Sequence, residues 1–113
     1  MTEILSMERG DDKTYELEVT EKKSPCNPAD ITGCTIKLTI RPTWQGAIFL
    51  QKTFTLTAPL IGEAEVEIVA ADTSGLTNER HEYVWDVEIT KTDTKMETLC
   101  KGKFIIEPEV TYT

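Results

Sequence analysis

Tyr83-Val84-Trp85-Asp86-Val87-Glu88-Ile89 is the stretch whose reading decides the fold. It alternates with period two, which places Tyr83, Trp85, Val87 and Ile89 on one face of a strand and Val84, Asp86 and Glu88 on the other. Aromatic and β-branched residues suit a pleated, half-buried surface, and the opposing carboxylates assign the second face to water. One apolar row cannot bury itself, so the strand calls for a second layer.

The flanking sequence supplies that layer. Upstream, Ala64, Val66 and Ile68 alternate with Glu63, Glu65 and Glu67. Further back, Cys34, Ile36, Leu38 and Ile40 alternate with Thr35, Lys37, Thr39 and Arg41, and Pro42 closes the strand. Tyr15, Leu17 and Val19 alternate with Glu16, Glu18 and Thr20, after a Gly10-Asp11-Asp12 turn. Ile48, Leu50, Lys52, Phe54 and Leu56 share one parity, and the lysine in that row implies a bulge or a wet strand end. Downstream, Cys100, Gly102, Phe104 and Ile106 face in, while Leu99 breaks the parity and marks a bulge.

The connections are read from their breakers. Lys22 to Thr32 carries Pro25 and Pro28 and has no period, so it is a loop. Ala58 to Gly62 and Thr92 to Lys95 are turns, and Ala71 to Leu76 is one helical turn crossing the end of the domain. Ile4 to Arg9 is a short strand or an arm, with Leu5 and Met7 on one face. The expected fold is all-β: a single domain over residues 1–113, with six or seven strands in a two-sheet antiparallel β-sandwich. Residues 1–9 form an N-terminal arm or edge strand, and residues 108–113 a tail or linker stub.

Composition narrows the function. A chain of 113 residues with 39% apolar residues can bury an unassisted core. Twelve basic against twenty acidic residues give a formal charge of -8, which disfavours nucleic acid and anionic membranes and suits solubility or a basic partner surface. No run is apolar enough to span a membrane, and the start lacks the pattern of a signal peptide, so synthesis and folding in cytosol are expected. The three cysteines, Cys26, Cys34 and Cys100, have no Cys-x-x-Cys spacing. Cys34 and Cys100 are expected as small buried hydrophobes rather than a disulfide or zinc set, leaving Cys26 as the reactive thiol.

Residue chemistry offers little for catalysis. His81, the only histidine, lies between Arg80 and Glu82 and suits a solvated or capping role. Glu63, Glu65 and Glu67 have the spacing of paired acids but read as a solvated face. Glu8, Asp11 and Asp12 lack the spaced ligands of a calcium loop. Arg9-Gly10-Asp11 matches a tripeptide read by adhesion receptors, a short and weak signal. No catalytic residue, cofactor or metal site is expected. The expected interface residues are Ile4, Leu5 and Met7 on the arm and Trp44 at the tip of a connection, where an aromatic either folds back or meets a partner.

In order and spacing, several elements resemble the N-terminal domain family of siphophage baseplate upper proteins and related phage tail proteins. They are Arg9-Gly10-Asp11-Asp12, Asp30-Ile31-Thr32-Gly33, Lys52-Thr53, Gly62 and Ala71-Asp72-Thr73, followed by Tyr83-x-x-Asp86, Gly102-Lys103-Phe104 and Val110-Thr111. The resemblance implies an immunoglobulin-like sandwich without enzymatic activity. It implies a structural part of the tail or baseplate of a virion, made in the host cytoplasm, with other tail proteins or copies of itself as partners. Baseplate relatives continue into helical and receptor-carrier regions where this sequence stops at Thr113, so a free-standing protein and a piece of a larger one are both open. The alternative is a module that binds carbohydrate or a host-surface glycan, with Trp44, Tyr112 and Tyr15 as candidate aromatic platforms.

Overall fold

β7 (His81–Thr90) has the two faces its sequence demands, with Trp85, Val87 and Ile89 buried and Glu82 in water. It lies inside a five-stranded sheet in a computed structural model that describes residues 2–20 and 27–108. The readings of Cys26, of the first half of the loop and of the tail beyond Pro108, with Tyr112, lie outside the described residues.

The remaining strands are β1 (Thr2–Glu8), β2 (Lys13–Glu18), β3 (Thr35–Arg41), β4 (Leu50–Thr53), β5 (Thr55–Ala58), β6 (Glu63–Ile68) and β8 (Met96–Glu107). One sheet runs β1-β8-β7-β3-β4 and the other β2-β6-β5. Met7, Ile36, Leu38, Ile40, Trp85, Phe104 and Ile106 from the first sheet join Ala64, Val66 and Ile68 from the second in one apolar core. The protein is therefore all-β with two sheets over a common interior.

Three features differ from the expected strand plan. β1 pairs with β8 in parallel, Thr2 beside Lys101 through Glu8 beside Glu107, so the larger sheet is not wholly antiparallel. The strand expected through Ile48 to Leu56 is two strands in different sheets, which brings the total among the described residues to eight. At the break, Phe54 donates its N–H to Ile36 O at 2.8 Å, and Thr55 then pairs with Glu65 across the interior. Lys52 sits level with Leu38 in the row facing the core, and its Nζ lies 2.8 Å from Asp72 Oδ2. The lysine in the apolar row is thus an ion pair at the rim of the core rather than a bulge. Third, Thr39 is only 6% exposed although its parity points away from the core. Gln51 Nε2 donates to Thr39 Oγ1, and Asp86 is its cross-strand neighbour, so long polar side chains roof this face.

The bulge at Leu99 is present. Val87 pairs with Cys100 and Glu88 with Thr98, leaving Leu99 as the extra residue. In the turn before β6, Gly62 has φ +75, and a Cβ there would lie 2.2 Å from Val19 O. Only glycine fits that close approach. Cys34 and Cys100 are not bonded to each other, and both are half-buried rather than enclosed. Cys100 stands level with Val87, itself level with Leu38, four positions along β3 from Cys34 with β7 between them. That separation exceeds the reach of a disulfide.

Trp85 turns into the core with Ile36, Leu38 and Phe104 of its own sheet and Val66 of the other, as its parity requires. Gly102 stands opposite it on β8, and the missing side chain gives the indole lateral room. The indole Nε1 is buried without an acceptor among the described residues. Trp85→Ala should cost about 3–5 kcal/mol through the cavity it leaves. Trp85→Phe, which keeps a ring and discards the unpartnered donor, should cost less than half as much. Urea midpoints of the two variants test this, and equal losses would contradict it.

Candidate interaction surface

The surface begins with the backbone of β1. In an extended strand the N–H and C=O of one residue point to the same side, and those of the next residue point to the other. The Arg9 N–H donates to Glu107 O at 2.8 Å, on the β8 side. Glu8 O and Ser6 O turn the other way, accepting from Asp11 N–H at 3.2 Å and from the Tyr15 hydroxyl at 2.8 Å. Leu5 and Met7 therefore spend their backbone groups on β8, whereas Ile4 and Ser6 aim theirs at the open edge.

Side chains on β1 follow the perpendicular alternation. Met7 is 6% exposed and belongs to the core, and Leu5 is half-buried against it. Ile4 is 67% exposed on the outer face. Of the four residues expected at an interface, Met7 is thus assigned to packing, Leu5 mainly so, and Ile4 and Trp44 to the surface.

Trp44 lies in the connection after β3, half-exposed, with Lys101 Nζ 5.7 Å from its ring centroid. Lys101 stands on the outer face of β8, two residues before Lys103, which is the register neighbour of Ile4. Ile4 and Trp44 therefore share the outer face of the five-stranded sheet, with two lysines between them. Asp86 is level with Lys101 and lies 3.7 Å from Arg41 Nη1, so the centre of this face is a mixed-charge lattice.

Among the described residues the two sheets have four edges, and β1 is the least protected. β4 and β5 have four residues each, and β5 has a register shift and runs into Pro59. β2 carries Lys13, Glu16 and Glu18 along six residues. β1 has seven residues in unbroken register without proline or bulge, and its charges, Glu3 and Glu8, stand towards its ends and leave Ile4 to Met7 uncharged. Natural edges are usually blunted by just those missing devices.

The turn after β1 is fully employed. Arg9 Nε donates to Leu76 O at 2.7 Å and Arg9 Nη2 to Ser74 O at 3.0 Å. Gly10 N–H donates to Thr73 Oγ1, and Asp12 Oδ1 accepts the Ala70 N–H at 2.7 Å. The expected helical turn is α1 (Ala70–Thr73), and Arg9-Gly10-Asp11-Asp12 clamps it to β1. The arginine of the adhesion-like tripeptide is held by its own chain, and one of the aspartates weighed for calcium caps a helix. Among the described residues, no group of three His, Cys, Asp or Glu could hold a metal ion.

Other candidates fall into place around this surface. His81 Nε2 donates to Thr77 O at 3.0 Å, and its ring stacks on Tyr83, a local capping role. Glu63, Glu65 and Glu67 stand in water on the outer face of β6, and Glu16 lies opposite Glu65 and Glu18 opposite Glu63. Of the aromatic platforms, Tyr15 is turned inward, edge-on to Phe104 at 6.1 Å, which leaves Trp44 alone among the described residues.

A cleft of about 480 Å³ opens at one end between Ile31, Cys34, Lys91 and Leu99. Its carboxylates are Asp30 and Glu97. Asp30 accepts the Thr32 hydroxyl and N–H, and these bonds hold its pKa below the usual carboxylate range. Glu97 lies 3.4 Å from Lys91 Nζ. A general acid needs a shift in the other direction.

Sequence reasoning missed the contact of Tyr15 with Ser6 and that of Lys101 with Trp44. Both act through non-local neighbours, Ser6 on the other sheet and Trp44 beyond two strands, which period-two alternation does not encode. Compared with known proteins, the chain matches no family model and no curated protein.

Burial pushes the Tyr15 phenol up to about 12, and burial also raises Tyr83. With its folded pKa above the unfolded value of 10.0, Tyr15 favours the folded state fully below pH 10, and that stability is lost as pH rises through about 12. An absorbance titration at alkaline pH should lose its latest-titrating tyrosine in Tyr15→Phe. Unchanged late titration in that variant would remove Tyr15 from its place over Ser6.

Proposed function

We propose that this chain is a non-enzymatic structural module of a phage or prophage tail or baseplate, working through protein–protein contacts in the virion. The observation that carries the reading is the open edge of β1, seven residues in regular register with Ile4 exposed on the face that also bears Trp44. An edge of this kind offers unpaired amides and carbonyls to another chain, and nearby exposed aliphatic and aromatic side chains supply the desolvated centre of a contact. The resemblance in Arg9 to Asp12, Ala71 to Thr73 and Gly102 to Phe104 agrees with this role. Two of those three elements meet where the Gly10 N–H donates to Thr73 Oγ1, within the clamp that fixes the orientation of β1.

The finer fold belongs to the same proposal: an immunoglobulin-like sandwich. The strand orders β1-β8-β7-β3-β4 and β2-β6-β5 support it, with β1 parallel to the last strand and the chain changing sheets at Phe54. Such a frame carries function on its surface and loops rather than in its core.

The experiment is affinity capture with the tail and baseplate proteins encoded alongside this chain. At least one should retain it, and Ile4→Lys combined with Trp44→Ala should release it with little change in thermal midpoint, since both side chains are exposed. Deleting residues 1–9 is not an equivalent test, because Met7 fills the core and Arg9 holds α1. Retention by none of these proteins would overturn the assignment.

A further inference from the structure

We infer that β1 is the contact between two copies of this chain, pairing antiparallel with its own symmetry mate so that the two larger sheets become one. The inference rests on the assembly reading above and names its first partner. Backbone direction fixes which residues can take part. Ile4 and Ser6 point their N–H and C=O outward, whereas Leu5 and Met7 are committed to β8. An antiparallel partner must therefore meet β1 at even-numbered residues.

Every such register is two-fold symmetric, and the one centred on Ile4 sets the exposed isoleucine against itself. Ile4 pairs with Ile4 of the second copy, and each Thr2 pairs with Ser6 of the other. The central rung gives two reciprocal backbone hydrogen bonds and brings the two exposed isoleucines together on the outer face. Glu3 falls opposite Leu5, and Glu8 lies beyond the paired residues, so no carboxylate faces another along the strand. This spacing matters in a chain of charge -8, where copies associate only through a contact that is apolar at its centre. Ser6 O already accepts the Tyr15 hydroxyl, but a carbonyl has a second lone pair for the Thr2 amide.

The other edges fit a second copy less well. β4 and β5 offer four residues each, and pairing β2 with itself brings Glu16 and Glu18 into the contact. A two-fold axis at Ile4 closes the assembly and leaves the short β4 strands at the outer ends of the joined sheet. Leucine or isoleucine alone on the surface would not single out a partner. The alternating backbone, the central isoleucine and the absence of opposed carboxylates together do.

Sedimentation equilibrium of the full chain should show a concentration-dependent dimer that tightens with added salt, as the mutual repulsion is screened. Ile4→Lys places like charges opposite each other and should weaken the dimer by at least about tenfold. Ile4→Cys should cross-link under mild oxidation, because paired Cα atoms at such a rung lie about 5.5 Å apart. Ser6→Cys should not exceed the unsubstituted chain, since its symmetry mate lies roughly 14 Å away. A dimer indifferent to Ile4→Lys, or Ser6→Cys cross-linking as well as Ile4→Cys, overturns the pairing. A chain that is monomeric at millimolar concentration yet captured by a tail protein overturns the pairing alone. A monomer captured by none overturns the assembly reading as well.

Discussion

The parallel pairing of Thr2–Glu8 with Lys101–Glu107 is the constraint on which the rest of the structure depends. A parallel ladder cannot be made by a hairpin, so this one joins two strands with all the others lying between them in sequence. It sets Met7 into the core beside the β8 row of Phe104 and Ile106. It also delivers Arg9 to the carbonyls of Ser74 and Leu76, so that the turn between β6 and β7 is held by the same segment. One side of β1 is consumed by this work. The other side is left open.

That division explains why a strand that is part of the fold can also be the surface that acts. An arm free in solution would lose its conformational freedom on binding, at a cost of about 1–2 kcal/mol for each residue fixed. β1 has lost that freedom already in folding, and its outward amides are held in strand geometry. Tyr15 adds a limit, since its hydroxyl takes one lone pair of Ser6 O and leaves the second for a neighbouring strand. The outer face of the smaller sheet gives a contrast. Glu16 opposite Glu65 and Glu18 opposite Glu63 place like charges side by side, which weakens the β2–β6 pair and discourages contact between copies there.

Much of the interior was legible because burial imposes a period. Trp85, Val87 and Ile89, Ala64, Val66 and Ile68, and Ile36, Leu38 and Ile40 each face the core as their spacing requires, and Leu99 marks its bulge by breaking parity. Period two specifies a face and never a partner. The change of sheet at Phe54 was therefore hidden, because the residues on either side keep one parity while the chain crosses the interior. Lys52 looked like an error in that row because its partner, Asp72, lies in a turn twenty positions later. Met7 was read as surface for a related reason. A short apolar segment at the start of a chain has the same composition whether it projects or packs. Ile4 and Trp44 were legible as exposed, but their common face follows only from Lys101 and Lys103 in the register of β8.

The central claim is that β1 is closed on one side and open on the other, and amide hydrogen exchange reads each side separately. In the isolated chain at low concentration, the Leu5 and Met7 amides should exchange slowly, with the stability of the sheet, while those of Ile4 and Ser6 exchange near the rate of an unstructured chain. In the assembled state the Ile4 and Ser6 amides should become protected. Equal protection of all four in the isolated chain, or Ile4 and Ser6 amides that remain fast in the assembly, would contradict the account.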